Sequence, residues 1–395
     1  MATPTPTAAV IPTPSPIPSP TPSPTPARGR PTAHRPDLWR TAAANRLAFG
    51  TSTATWQFGD AAYLRLLDAQ AATVITEDDL LWYRVRPTPT SGLDFSCADR
   101  FYRRAHRHGQ RVIGAHLVWD QGFGDGWNDD DLRSLDRRTA HRLLFGTLEA
   151  TVRRYRDRTV AWIVANEVTD PEGRHGLRTD VPWYDTLGSG YVAEAFHRTR
   201  AIDRSAVLVL NEFGFETTNR YGDDPVARQR ATLAVIDNLL AHDVPVDALG
   251  IQGHLIAEEF ATRFDRRQYA HFLAEVTGRG LRILVTELDV LDDGLPASVA
   301  VRDQAVAEVY RRYLDAVLDQ PAVTAVLAFG LTDRYTWLQE DDPRDDGADR
   351  RPLAFDDGLR TKPATATISR ALAEARARRP LWPRDAQTSR MGLRR

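Results

Sequence analysis

The chain has 395 residues, 42% of them hydrophobic, and a formal net charge of −2 at pH 7. That length can bury one large barrel or two smaller domains, and the near balance of acids and arginines excludes a chain built to neutralise phosphate backbones. A single cysteine, Cys97, excludes an internal disulfide or a thiolate zinc cluster, and the single lysine, Lys362, leaves Schiff-base chemistry out of reach unless it enters a pocket.

Residues 1–36 hold twelve of the 25 prolines in Thr-Pro and Ser-Pro repeats, so this segment is read as an extended linker or tail that builds no core. Such a stalk is expected on an extracellular or cell-surface protein, although no charged and apolar leader stands ahead of it. From residue 37 short apolar runs alternate with helical patterns. The strand candidates are 46–52, 72–77, 111–119, 161–167, 206–213, 248–255, 282–290 and 325–333. Between them, Leu233, Ile236 and Leu240 mark one face of a helix from Pro225 to Ala241, and Val306, Val309, Tyr313 and Val317 mark another from Ser298 to Leu318. Gly109 and Gly278 stand where helix C-terminal caps are expected.

About eight strand–helix units predict an α/β fold, a (β/α)8 TIM barrel over residues 37–378. An open doubly wound sheet competes, but its glycine-rich first turn is missing. DDPRDDGADR, 341–350, lacks the spacing of a calcium loop and reads as a solvated acidic loop. From Arg379 to residue 395 an arginine-rich tail is expected to fray. No apolar run reaches the length of a membrane span.

Barrels place their chemistry at the C-terminal ends of their strands. The groups there are Glu77, Trp119 with Asp120, Asn166 with Glu167, Asn211 with Glu212, Gln252 with His254, Glu287 with Asp289, and Asp333. The set is acidic, rich in amides and poor in histidine, so neither a metal nor a cofactor is called for. No GxSxG elbow offers a serine nucleophile. What remains is a pair of glutamates, Glu167 and Glu287, with hydrogen-bonding and aromatic neighbours, which is the equipment of a glycosidase. One must hold a proton for the leaving oxygen and the other must be ionised beside the anomeric carbon. Glu167 suits the acid. Glu287 suits the nucleophile, with His254 orienting it and Asp289 holding the histidine.

These residues resemble glycoside hydrolase family 10, the retaining endo-β-1,4-xylanases, from about Leu38 to Pro363. WIVANEV (162–168), TELD (286–289), Gln252-Gly253-His254-Leu255, LVW (117–119), ADRF (98–101), GLTDRYTW (330–337) and PLAFDDGLRTKPA (352–364) fall in family order. The resemblance implies Glu167 as acid/base, Asn166 as partner of the sugar 2-hydroxyl and Glu287 as nucleophile. Gln252, Glu77, Trp119, Phe329 and Trp337 follow as further substrate-binding positions.

The family's Glu-Asn-x-Met-Lys-Trp element reads Glu77-Asp78-Asp79-Leu80-Leu81-Trp82 here. Its Gly-His-Thr-Leu-Val-Trp-His element reads Gly114-Ala115-His116-Leu117-Val118-Trp119-Asp120. Phe329 stands where the family floors the reacting sugar with tryptophan. On strand alternation, His116 is expected to point to the opposite face from the site. The expected activity is cleavage of β-1,4 bonds in xylan or a related plant polysaccharide. A related β-glycosidase of different sugar or aglycone specificity, or a non-catalytic carbohydrate-binding barrel, are the alternatives. The expected partner is a polysaccharide or oligosaccharide, met by a monomer with no nucleic acid and no membrane span.

Overall fold

Parallel pairing runs unbroken around eight strands of the computed structural model, which describes residues 37–382. β1 (Ala48–Thr53) pairs with β2 (Thr73–Thr76), β2 with β3 (Arg111–Gly114), β3 with β4 (Thr159–Asn166), β4 with β5 (Val207–Glu212), and β5 with β6 (Ala248–Ile251). A short β7 (His254–Ile256) stays outside the ring. β6 instead bonds to β8 (Arg282–Leu291), β8 to β9 (Val323–Ala328), and β9 returns to β1. The chain is therefore the closed (β/α)8 barrel expected, and the open sheet is excluded.

The strands are apolar throughout because both faces are covered. Alternate residues point inward, where Ile75, Ile113, Ile163, Val209, Leu284 and Leu327 fill the barrel. The others point outward and pack beneath the helices, Val74, Val112, Trp162, Leu208 and Leu249 among them. Helices such as Ala61–Gln70, Arg137–Tyr155, Pro225–Ala241 and Arg266–Gly278 start on aspartates, Asp60, Asp136, Asp224 and Asp265, whose carboxylates accept first-turn amides. Gly114 has no room for a side chain, because a Cβ there would lie 2.3 Å from the Trp162 ring.

Four local readings need correction. β3 stops at Gly114, five residues before its expected end, and Val118 returns only as an isolated bridge to Ala165. Gly109 takes the left-handed conformation expected of a cap, but Gly278 is still helical and Gly280 makes that turn. The loop at 341–350 is tied inward, not simply solvated. Arg350, 1% exposed, pairs with Asp292, Asp293 and Asp342, and Arg302 and Arg344 reach the same buried Asp292 at the end of β8. Counting its acids missed that its arginines have a buried carboxylate to meet.

The fourth concerns the tail. Leu381 and Trp382 are buried in the inward-facing cluster of the barrel, where the apolar ends of the strands give them something to cover. Arg282, first residue of β8, donates to the Leu381 carbonyl at 2.6 Å, and the guanidinium of Arg111, first residue of β3, lies over the Trp382 ring. These partners place the segment at the end of the barrel opposite the strand-end acids. The readings of 1–36 and of 383–395 lie outside the described residues.

Candidate active site

β4 delivers Asn166 and Glu167 to the rim. Where the strand ends, Glu167 turns left-handed (φ 56°), a conformation that costs a non-glycine residue roughly 1–2 kcal/mol. It is held by its amide bonded to the Asn211 carbonyl (3.0 Å) and by Arg178, which donates to its own carbonyl (3.3 Å). Its carboxylate accepts from Trp119 Nε1 at 3.1 Å and from Gln252 Nε2 at 2.8 Å. Both of these donors are neutral. Beside it Asp120 pairs with Arg178 at 2.9 Å, and burial, with Glu167 close by, outweighs that arginine and pushes the Asp120 carboxyl up to about 6.

β8 delivers Glu287, whose surroundings are of the opposite kind. Burial alone would raise its carboxyl, but the imidazoles of His116 and His254 outweigh it and hold the group down to about 2. His254 Nε2 lies 3.2 Å from Glu287 Oε2, and its Nδ1 lies 2.8 Å from Asp289 Oδ1. Burial would lower the imidazole, yet the two carboxylates raise it to about 10, so His254 is a cation beside an anion. Asp289 also accepts Trp337 Nε1 at 2.8 Å, which fixes the indole against the histidine. The β7–β8 pairing makes this contact possible by setting His254 opposite Asp289.

One amide ties the two halves together. Asn211, in register with Asn166 on the neighbouring strand, donates to Asn166 Oδ1 at 2.8 Å and to Glu287 Oε1 at 2.7 Å. Thr286 in turn donates to Asn211 Oδ1 at 2.7 Å. Gly250 makes this possible, because a Cβ there would stand 2.2 Å from Asn211 Oδ1. Gln252 completes the link between the halves, reaching Glu167 and, at 3.4 Å, Asn166.

All ten singled-out positions except Glu77, Phe329 and Trp119 thus meet in one hydrogen-bonded set around Glu287, and Trp119 joins it through Glu167. Phe329 stands edge-on to His254 and Trp337. Glu77 is close enough to feel the charge of Glu287; burial, then Asp78, Asp79 and Glu287, push its carboxyl up to about 8. Asp78 accepts Trp56 Nε1 at 2.8 Å. Among the other strand-end acids, Glu212 pairs with Arg228, and Asp333 holds the lone lysine, Lys362, at 2.8 Å. No group of three or more histidine, cysteine or acidic side chains among the described residues could hold a metal ion.

Two contributors were not assigned a role from the sequence. Asn211 stood among the strand-end groups, and its register with Asn166 was the available signal. Arg178 lies in a loop, where no periodicity announces it. His116 is a correction: its side chain faces Glu287 at 3.6 Å, not the opposite face, because β3 has already ended and strand alternation no longer governs it.

The chain as a whole matches known proteins. The sequence profile of Glycosyl hydrolase family 10 matches residues 38–371, most of the chain. The chain belongs to glycosyl hydrolase family 10. Among its curated relatives is endo-1,4-beta-xylanase 5 of Pyricularia oryzae, 28% identical over 85% of this chain and 78% of the relative. Endo-1,4-beta-xylanase B of Thermotoga neapolitana is 26% identical over 83% and 88%. Native xylanase 10B from Thermotoga maritima superposes with a TM-score of 0.75 at 25% identity, covering 85% of this chain and 98% of that one. This family 10 member is a glycoside hydrolase by that membership.

Proposed function

We propose that the chain cleaves β-1,4-glycosidic bonds in xylan or a closely related plant polysaccharide by double displacement. A Glu287 oxygen forms a bond to the anomeric carbon while the glycosidic C–O bond breaks, and Glu167 gives its proton to the departing oxygen. Glu167 then takes a proton from water, the water oxygen bonds to the anomeric carbon, and the Glu287 ester bond breaks. The observation that carries this reading is the contrast between the two acids within one network. Glu287 is kept ionised by two imidazoles and an amide, whereas Glu167 has only neutral donors on its carboxylate and the Asp120 acid beside it. The names of the relatives supply the substrate class. Action as a monomer outside the cell, on a Pro/Thr-rich linker over 1–36, belongs to the same proposal. Its support is the composition of that segment.

A second reading, a hydrolase of the same chemistry with altered sugar preference, is favoured by Leu81, Ala115 and Phe329 where the family pattern has lysine, histidine and tryptophan, and by Asp78 being taken up by Trp56. Release of reducing ends from xylan, mixed-linkage glucan and aryl β-glycosides separates the readings. Xylan is expected to give the highest rate. The Glu287→Gln variant is expected to lose at least roughly 10,000-fold on every substrate. Substantial activity in that variant would overturn the assignment, and preference for glucan would favour the second reading.

A further inference from the structure

Of the nine tryptophans in the chain, eight are buried or partly buried and one, Trp56, is 46% exposed. It stands just past the end of β1, in a short 3-10 turn over Thr55–Gly59. The residues on either side of it are buried and tied down. Thr55 donates its amide and its hydroxyl to Asp79 at 2.9 and 2.6 Å. The Gln57 side chain accepts the Ala54 amide at 3.1 Å and the Thr53 hydroxyl at 2.6 Å. The indole has two contacts of its own: Nε1 donates to Asp78 at 2.8 Å, and the ring meets Tyr335 edge to face at 5.4 Å. Tyr335 is anchored in turn by its hydroxyl on Asp60 at 2.9 Å.

A singly exposed apolar side chain is ordinary on a protein surface. This one differs in being fixed by three rim segments, those that follow β1, β2 and β9. Its one polar atom is already engaged by Asp78, so the ring offers the solvent an apolar surface with no hydrogen bond left to satisfy. A rigid, flat, apolar surface beside a cleft suits the C–H face of a β-linked pyranose, whose hydroxyls point sideways from the ring.

We infer that Trp56 is a substrate platform: its ring packs against a sugar on the retained side of the polysaccharide, beyond the one that Glu287 captures. This rests on the glycosidase reading above and extends the site to a segment, 54–60, that none of the motifs resembling the family contains. In the ring of eight strands β1 stands opposite β5. Glu167, which gives its proton to the departing oxygen, ends β4 beside β5, so the departing part of the chain lies that way and the retained part lies toward β1. The neighbours of the indole agree. Asp78 follows Glu77, which feels the charge of Glu287, and Tyr335 lies two residues before Trp337, which bonds Asp289. Trp56 is thus one step further out along the rim from the nucleophile.

Aryl β-glycosides of xylose, xylobiose and xylotriose test this, because they share one leaving group and lengthen only the retained side. kcat/KM is measured for the unaltered protein, Trp56→Ala and Trp56→Phe. The unaltered protein is expected to gain with added sugars. Trp56→Ala should match it on the xyloside and fall roughly 5- to 30-fold behind once the second or third sugar covers the ring. The loss should lie in KM more than in kcat, and Trp56→Phe should regain part of it. An equal loss on all three substrates would overturn the inference, since Trp56 would then act through Asp78 or through the fold. So would the absence of any loss on the trioside. Should Trp56→Ala not fold, the series is read from Trp56→Phe, where a smaller loss that grows with length supports the platform and one independent of length overturns it. If the unaltered protein cleaves none of the three glycosides and no xylan, the glycosidase reading falls and takes this inference with it.

Discussion

The two ends of this barrel are built from the same strands and differ in almost everything else. At the base, Leu381 and Trp382 close the interior over aliphatic side chains in the manner of a packed core. At the rim, the next inward-facing positions are Asn166, Asn211, Gln252 and Glu287, buried and joined to one another by hydrogen bonds. An apolar base gains stability from burial. A buried polar rim gains none unless every member finds a partner, and when it does it becomes rigid. The contrast indicates that the barrel is held together from below, with the proposed chemistry above, and that the rim's precision depends on the base's stability but not the reverse.

That separation can be broken from either side. After Glu287→Gln, Glu167→Gln should have the largest effect: a loss of roughly 100- to 10,000-fold on xylan, where the leaving oxygen needs a proton. The loss should be much smaller on aryl glycosides whose leaving group departs unaided, and the thermal midpoint should hardly move. Rates across a series of leaving groups check this, and a loss independent of the leaving group would remove Glu167 from the acid role. Trp382→Ala should do the converse. It is expected to cost about 2–4 kcal/mol of stability in chemical denaturation, while kcat at 25 °C stays within experimental scatter.

The smallest effect concerns Glu77. Its carboxyl is pushed up to about 8 by burial and by Asp78, Asp79 and Glu287, from an ordinary value of 4.5. Between those values the folded chain binds more proton than the unfolded one, so this group's contribution is fully favourable below about pH 4.5 and is lost as pH rises through 8. Glu77→Gln should flatten the decline of stability over that window, measured as the denaturation midpoint against pH. An unchanged slope would show that Glu77 titrates normally. Glu287 acts with the opposite sign. Held at about 2, it stabilises the fold above pH 4.5 and loses that contribution only in strong acid.

The base and the rim were not equally legible in the sequence. Eight apolar runs announced the strands because burial on both faces leaves an uninterrupted hydrophobic signature, and carboxylates at the ends of β4 and β8 stood out against it. The reading failed wherever the chain left regular structure. His116 was assigned the wrong direction because alternation was extended past Gly114, where β3 ends. Arg178 went unnoticed in a loop with no period. Leu381 and Trp382 were counted with an arginine-rich tail because two apolar residues give no pattern, although they close the barrel floor. Arg350 was lost among acids because composition does not say which side chains turn inward to Asp292. Local pattern reports secondary structure; it does not report a contact made between segments far apart along the chain.

The most direct measurement is the mass of the peptides released after incubation with an aryl 2-deoxy-2-fluoro-β-xylobioside, whose fluorine slows breakdown of a glycosyl–enzyme ester. The expected result is one fluorinated disaccharide attached to the peptide containing Thr286, Glu287 and Leu288. Attachment to any other peptide, or turnover of xylan to products of inverted anomeric configuration with no label, would contradict Glu287 as the nucleophile of a double displacement.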